Sequence, residues 1–118
     1  MANVNESIAE IMKIDGVIGT CLVDIASGMV LGKAGGGSHN MELAGAANTE
    51  VIRAKLKAMS ALGLKDNIED ILITLGTQFH LIRLHENVLF LYVMMDKAKA
   101  NLALARHKVY AIEKDLTV

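Results

Sequence analysis

At 118 residues the chain has room for one domain, large enough to take about two-thirds of its unfolded surface out of water on folding. With 53% hydrophobic and 21% charged residues it can offset the entropy of ordering, which excludes an intrinsically disordered polymer. Twelve Lys and Arg against thirteen Asp and Glu leave a net charge of -1, without the one-signed field that nucleic acid or an anionic membrane selects, so neither is an expected partner.

The mean hydropathy is high at +0.38. The longest uninterrupted apolar run, Val88 to Met95, is nevertheless far short of the roughly 20 residues of a membrane span, so none is expected. No basic start followed by an apolar stretch and a small-residue cleavage site opens the chain, and the single cysteine, Cys21, excludes an internal disulfide. A cytoplasmic protein is expected. Apolar excess without a span points to contact with another protein chain.

In chain order, Val4, Ile8, Ile11 and Met12 repeat at helical spacing until Asp15-Gly16 stops a first helix. Two strands follow, Val17 to Asp24 and Met29 to Lys33, joined by Ile25-Ala26-Ser27-Gly28, where Gly28 can take a positive φ. Gly35-Gly36-Gly37 reads as a flexible lead into a second helix. That helix is capped by Asn40 and runs to Gly63, with Ala44, Ala47, Val51, Ala54, Ala58 and Leu62 recurring every three or four positions. Leu43, Ala46, Ile52, Leu56 and Met59 add a second apolar surface, more than one sheet can cover.

Three strands then meander: Ile68 to Leu75, Gln78 to His85 and Val88 to Met95, joined by Gly76-Thr77, suited to a type II′ turn, and by Glu86-Asn87. The last lacks in-and-out alternation, so it belongs in the middle of the sheet with both faces covered. After Asp96, read as an N-cap, Ala98, Leu102, Ala105, Val109, Ile112 and Leu116 mark a closing helix. The order is αββαβββα, an α/β fold with a five-stranded antiparallel sheet flanked by three helices, in a single domain over residues 1–118.

Chemistry-bearing motifs are few. Gly28, Gly32-Lys33 and Gly35-Gly36-Gly37 miss the P-loop spacing, and Ala34 stands where a magnesium-binding hydroxyl is needed, so no nucleotide cofactor is expected. His39, His80, His85 and His107 do not converge as a metal site requires; His80 and His85 fall on opposite faces of one strand, and the four read as polar residues at sheet edges and helix surfaces. Cys21 lies in an apolar strand with no adjacent basic residue and reads as a core residue. Ser27, Ser38 and Ser60 lack a nucleophile-elbow context. No catalytic residue is expected.

One feature demands a partner. The strand Ile68 to Leu75 is interrupted only by Glu69, Asp70 and Thr74, and as a free outer strand it would aggregate unless paired with a copy of itself in a closed two-fold dimer. The candidate interface is therefore Ile71, Leu72, Ile73 and Leu75, with Ala44, Ala47, Val51, Ala54 and Ala58 of the second helix packing on their twins.

Ile14-Asp15-Gly16-Val17-Ile18-Gly19 lead into Val23-Asp24 and Gly28, Glu69 to Gly76 are followed by His80-Leu81-Ile82-Arg83, and Asp96 is followed by Ala100-Asn101-Leu102-Ala103-Leu104-Ala105-Arg106. These segments carry a resemblance to the Roadblock family, the dynein-light-chain and GTPase-regulator domain. It implies a sheet between one long helix and the two terminal helices, and a homodimer in which third strands and second helices meet. It also implies a platform on which Ras-like small GTPases dock, with no catalytic constellation in the chain itself. A homodimeric, non-enzymatic regulator of a small GTPase is the function so implied. The alternatives are a small-ligand sensor, against whose cavity the sparse aromatics Phe79, Phe90, Tyr92 and Tyr110 speak, a scaffold domain in a signalling or motor complex, and a hydrolase using His80 or His107 with an acidic partner.

Overall fold

Helix α1, Val4–Met12, starts at a capping box: the Asn3 side chain accepts from the Glu6 amide, and the Glu6 carboxylate accepts from the Asn3 amide. Its buried residues Ser7, Ile8 and Ile11 form one stripe. The structure, a computed structural model, describes residues 1–118. Strands β1 (Val17–Asp24) and β2 (Val30–Gly35) precede helix α2 (Met41–Ala61). Strands β3 (Asp70–Thr74), β4 (Gln78–His85) and β5 (Leu89–Asp96) precede helix α3 (Leu102–Asp115). The expected order αββαβββα is the observed one.

The five strands form one antiparallel sheet in the order β2-β1-β5-β4-β3. β5 is central and buried along nearly its whole length, as its unbroken apolar run requires. Its alternate side chains feed two cores. Leu89, Leu91, Val93 and Met95 pack with Leu22 and Leu81 beneath α1 and α3. Phe90, Tyr92 and Met94 pack with Cys21, Val23 and Ile82 beneath α2. The sheet is thus covered by one long helix on one face and the two terminal helices on the other.

Several boundaries depart from the sequence reading. β2 begins and ends later than Met29 to Lys33, and β3 is confined to Asp70–Thr74, leaving Ile68 and Leu75 outside the strand. Asp96 is not the cap of α3: it ends β5 and its carboxylate accepts from the Ala98 amide, while Asn101 caps the helix through the Leu104 amide. Gly76 has no positive φ, so the β3–β4 connection is not a type II′ turn. Glu86 and Asn87 both do (φ 53° and 60°), as a type I′ turn between β4 and β5 requires.

Gly35-Gly36-Gly37 is a built corner rather than a flexible lead. All three glycines have positive φ, Gly36 is buried, and its amide donates to Ile18 O at 2.8 Å.

Candidate functional site

α2 meets the sheet through Met41, Gly45, Thr49, Ile52 and Met59, spaced by helical turns. Gly45 is needed there: a Cβ would sit 2.9 Å from Val23 and Val30 methyls. The stripe the sequence marks as apolar, Ala44 to Leu62, is therefore not the sheet-facing one. Ala44 is half-buried, and Ala47, Val51, Ala54, Ala58 and Leu62 are exposed.

The direction of that stripe follows from its neighbours. On one flank of α2, Arg53 donates to Ile25 O and Ala26 O in the β1–β2 turn, and Glu42 lies 3.4 Å from Lys33 of β2. On the other, Lys55 and Met59 border a hollow of about 560 Å³ with Ile68, Glu69 and Asp70. The alanine-lined flank thus looks toward the β4–β3 half of the sheet.

In that half lies the β3 edge. Ile71 pairs with Ile82 and Ile73 with His80, so both isoleucines point to the α2 side, whereas Leu72 points to the α1 and α3 side. All three are half-buried, and Leu75 is exposed just past the strand. Leu84 donates to Glu69 O and Leu75 to Gln78 O, so the odd-numbered positions turn their backbone toward β4. By the same alternation, Asp70, Leu72 and Thr74 present N–H and C=O to the open edge. Asp70 is held from α3 by Arg106, whose guanidinium grips both carboxylate oxygens at 2.6 and 2.7 Å. That hydrogen bond, with the charge of Asp70, pushes the Arg106 pKa up.

The histidines are dispersed. His80 is half-buried on the α2 side with Nε2 2.8 Å from Gln78 Oε1, and its pKa is pushed down by burial and then by His39. His107 is exposed on α3. The acidic partner that a hydrolase would need beside His80 or His107 is not paired with either among the hydrogen bonds.

His85, read as a surface residue, is instead buried. Its Nδ1 lies 2.8 Å from Glu113 Oε2, while Arg83 Nε donates to Glu113 Oε1 at 2.9 Å. Sequence reasoning missed this cluster. Its one signal was a glutamate three positions before Leu116 and four after Val109, on the buried stripe of α3. Cys21 is fully buried, and burial, with Glu42 adding to it, pushes its thiol up to about 12, so it stays protonated and unreactive. No helix is long and apolar enough to cross a membrane.

No protein-family model matches the chain, and no curated sequence does. Solved structures do. A Roadblock/LC7 domain from Streptomyces avermitilis superposes with a TM-score of 0.83 at 10% identity, over 97% of this chain and 94% of that one. Myxococcus xanthus MglB gives 0.76 at 13% identity, over 92% and 84%. An MglB described as having a tetrameric arrangement gives 0.77 at 13%, over 95% and 88%. At such identities the likeness is one of architecture, and it extends over nearly the whole chain: this protein has the Roadblock/LC7 fold.

Proposed function

We propose that the protein is a homodimeric, non-enzymatic adaptor or regulator in the cytoplasm. It binds a Ras-like small GTPase and modulates that GTPase's nucleotide cycle or location. The observation that carries the dimer is the contrast between the two edges of the sheet. β2 is blunted as solitary edges are: it holds Gly32 and Gly35, a lysine at Lys33, and a register irregularity opposite Leu22 and Val23. β3 carries one charge, Asp70, which Arg106 of α3 neutralises, but it has no glycine and no register irregularity and is uncharged along Ile71, Leu72 and Ile73, and beside it runs the uncovered alanine flank of α2.

A second copy satisfies both. With the two-fold axis through Leu72, each Asp70 faces Thr74 of the other copy, so every outward backbone position of β3 finds a partner. Ile71 and Ile73 of the two copies then form one apolar cluster beneath the paired α2 helices, whose small side chains let the helix axes approach to about 8 Å. Both α2 helices come to lie on one side of the joined sheet and present a broad surface.

The GTPase half of the reading is supported by the Roadblock-like segments around Ile14 to Gly19, Glu69 to Gly76 and Asp96 to Arg106, together with the fold. The tagged protein, used as bait in lysate of the source cell loaded with GDP or with a non-hydrolysable GTP analogue, tests it. Recovery of a small GTPase chiefly in one nucleotide state is the expected outcome. Recovery of none in either state would overturn the GTPase assignment.

A further inference from the structure

We propose that joining two copies through β3 and α2 expels a proton from His80 of each, so that the dimer comes apart as the solution turns mildly acidic. This rests on the homodimer reading above. Strands lie about 4.8 Å apart, so with the axis between two β3 strands, β4 runs only about 7 Å from it. His80 stands on β4 opposite Ile73, on the face that the paired α2 helices would roof.

In the single chain α2 covers the β1 and β2 side, and His80 is left half-buried. Its ring meets Tyr92 edge-on, with centroids 5.4 Å apart and planes at 73°. One nitrogen, Nε2, is spent on Gln78 Oε1 at 2.8 Å, and Nδ1 has no partner. The imidazolium carries a proton on both nitrogens, so its Nδ1–H needs water or an acceptor. A partner that brings alanines, valine and isoleucines over the ring takes the water away and supplies no acceptor.

The groups around His80 do not compensate for its charge. β3 contributes Ile71 and Ile73, and the loop before α2 contributes His39, whose positive form disfavours a second one. Tyr92 on β5 and Cys21 on β1 are both pushed up to about 12 by burial and stay neutral. Asp96, diagonal to His80 on β5, spends one carboxylate oxygen on the Ala98 amide and does not hold the His80 pKa up, which burial and His39 push down. On the α2 flank, Lys55 is a further cation.

The sign follows. Burial at the interface lowers the His80 pKa below its value in the single chain, so the associated form is favoured above that value and loses ground as pH falls through it. Each proton that must leave weakens association by about tenfold per pH unit in the acid limb, and a dimer has two such histidines.

Sedimentation equilibrium of the full chain at about pH 7.5 and at about pH 4.5, well below the lowered His80 pKa, tests this, with His80→Gln, His80→Phe and, as a control on an exposed histidine, His107→Gln. For the wild type and His107→Gln, the dimer Kd is expected to rise at least about tenfold between the two conditions. For His80→Gln or His80→Phe, whichever dimerises, it should stay within about threefold. A wild-type Kd that does not move, or that moves as much in the His80 variants, overturns the proton linkage and leaves the dimer standing. A wild type that is monomeric at the higher pH overturns the homodimer reading and the linkage with it.

Discussion

Glu113 is the residue whose role is least legible from its position in the chain. A carboxylate on the buried stripe of a helix costs several kcal/mol of desolvation unless it is paired, and here Arg83 and His85, two residues apart on one face of β4, close on its two oxygens. The partners are 28 and 30 residues away in sequence, beyond any local pattern. The Arg83 guanidinium also stacks 4.2 Å from the Tyr110 ring, so α3 is fastened to β4 by charge and by packing. Glu113→Ala strands a half-covered guanidinium and is expected to cost about 3 kcal/mol in a urea titration, whereas Glu113→Gln, which keeps an acceptor for Arg83, should cost visibly less. A loss under about 1 kcal/mol for Glu113→Ala would show that the cluster behaves as an ordinary surface ion pair. Cys21, by contrast, was readable as core from its apolar strand alone, because nothing nearby in sequence could activate it.

At the scale of elements, most strands and helices were legible because hydrophobic period and caps are local signals. The β4 limits and the central place of β5 follow from the residues themselves. What was not legible is which side of α2 faces the sheet. Two apolar stripes competed and neither is the buried face: it takes only Ile52 and Met59 from the second, leaves Leu43, Ala46 and Leu56 exposed, and adds Met41, Gly45 and Thr49, set by the close approach of β1 and β2 rather than by hydrophobicity. The glycine corner before α2 is a similar case, since three consecutive glycines read the same whether they are loose or required. A Cβ on Gly35 would lie 2.5 Å from Ile18 O and 2.6 Å from Met12 Cε, while one on Gly37 meets nothing within 4 Å. Both have positive φ. Gly35→Ala is therefore expected to lose about 3 kcal/mol or more, and Gly37→Ala only the roughly 1 kcal/mol of a left-handed alanine. Equal losses in chemical denaturation would mean that the corner yields, and that α2 is aimed by its sheet contacts alone.

The whole molecule presents two unequal edges, and the proposed dimer turns on that inequality. Ile73 and Leu31 make a matched pair of probes, one on each edge strand and neither fully buried in the single chain. A lysine at either position can run its stem along the sheet and keep its ammonium in water, so the isolated fold should lose no more than about 1 kcal/mol in both variants. Their effect on association should differ. In a dimer joined through β3, Ile73→Lys places two ammonium groups in the apolar cluster beneath the α2 helices, with no carboxylate beside them. That costs several kcal/mol of association, or on the order of a hundredfold or more in Kd. Leu31→Lys adds charge to an edge that already carries Lys33 and should leave the dimer unchanged. Light scattering at tens of micromolar should then find Ile73→Lys monomeric and Leu31→Lys indistinguishable from the wild type. The reverse pattern would move the interface to β2. Two intact dimers would take it off the sheet edges altogether and leave the exposed alanine flank of α2 to hold the copies together without strand pairing.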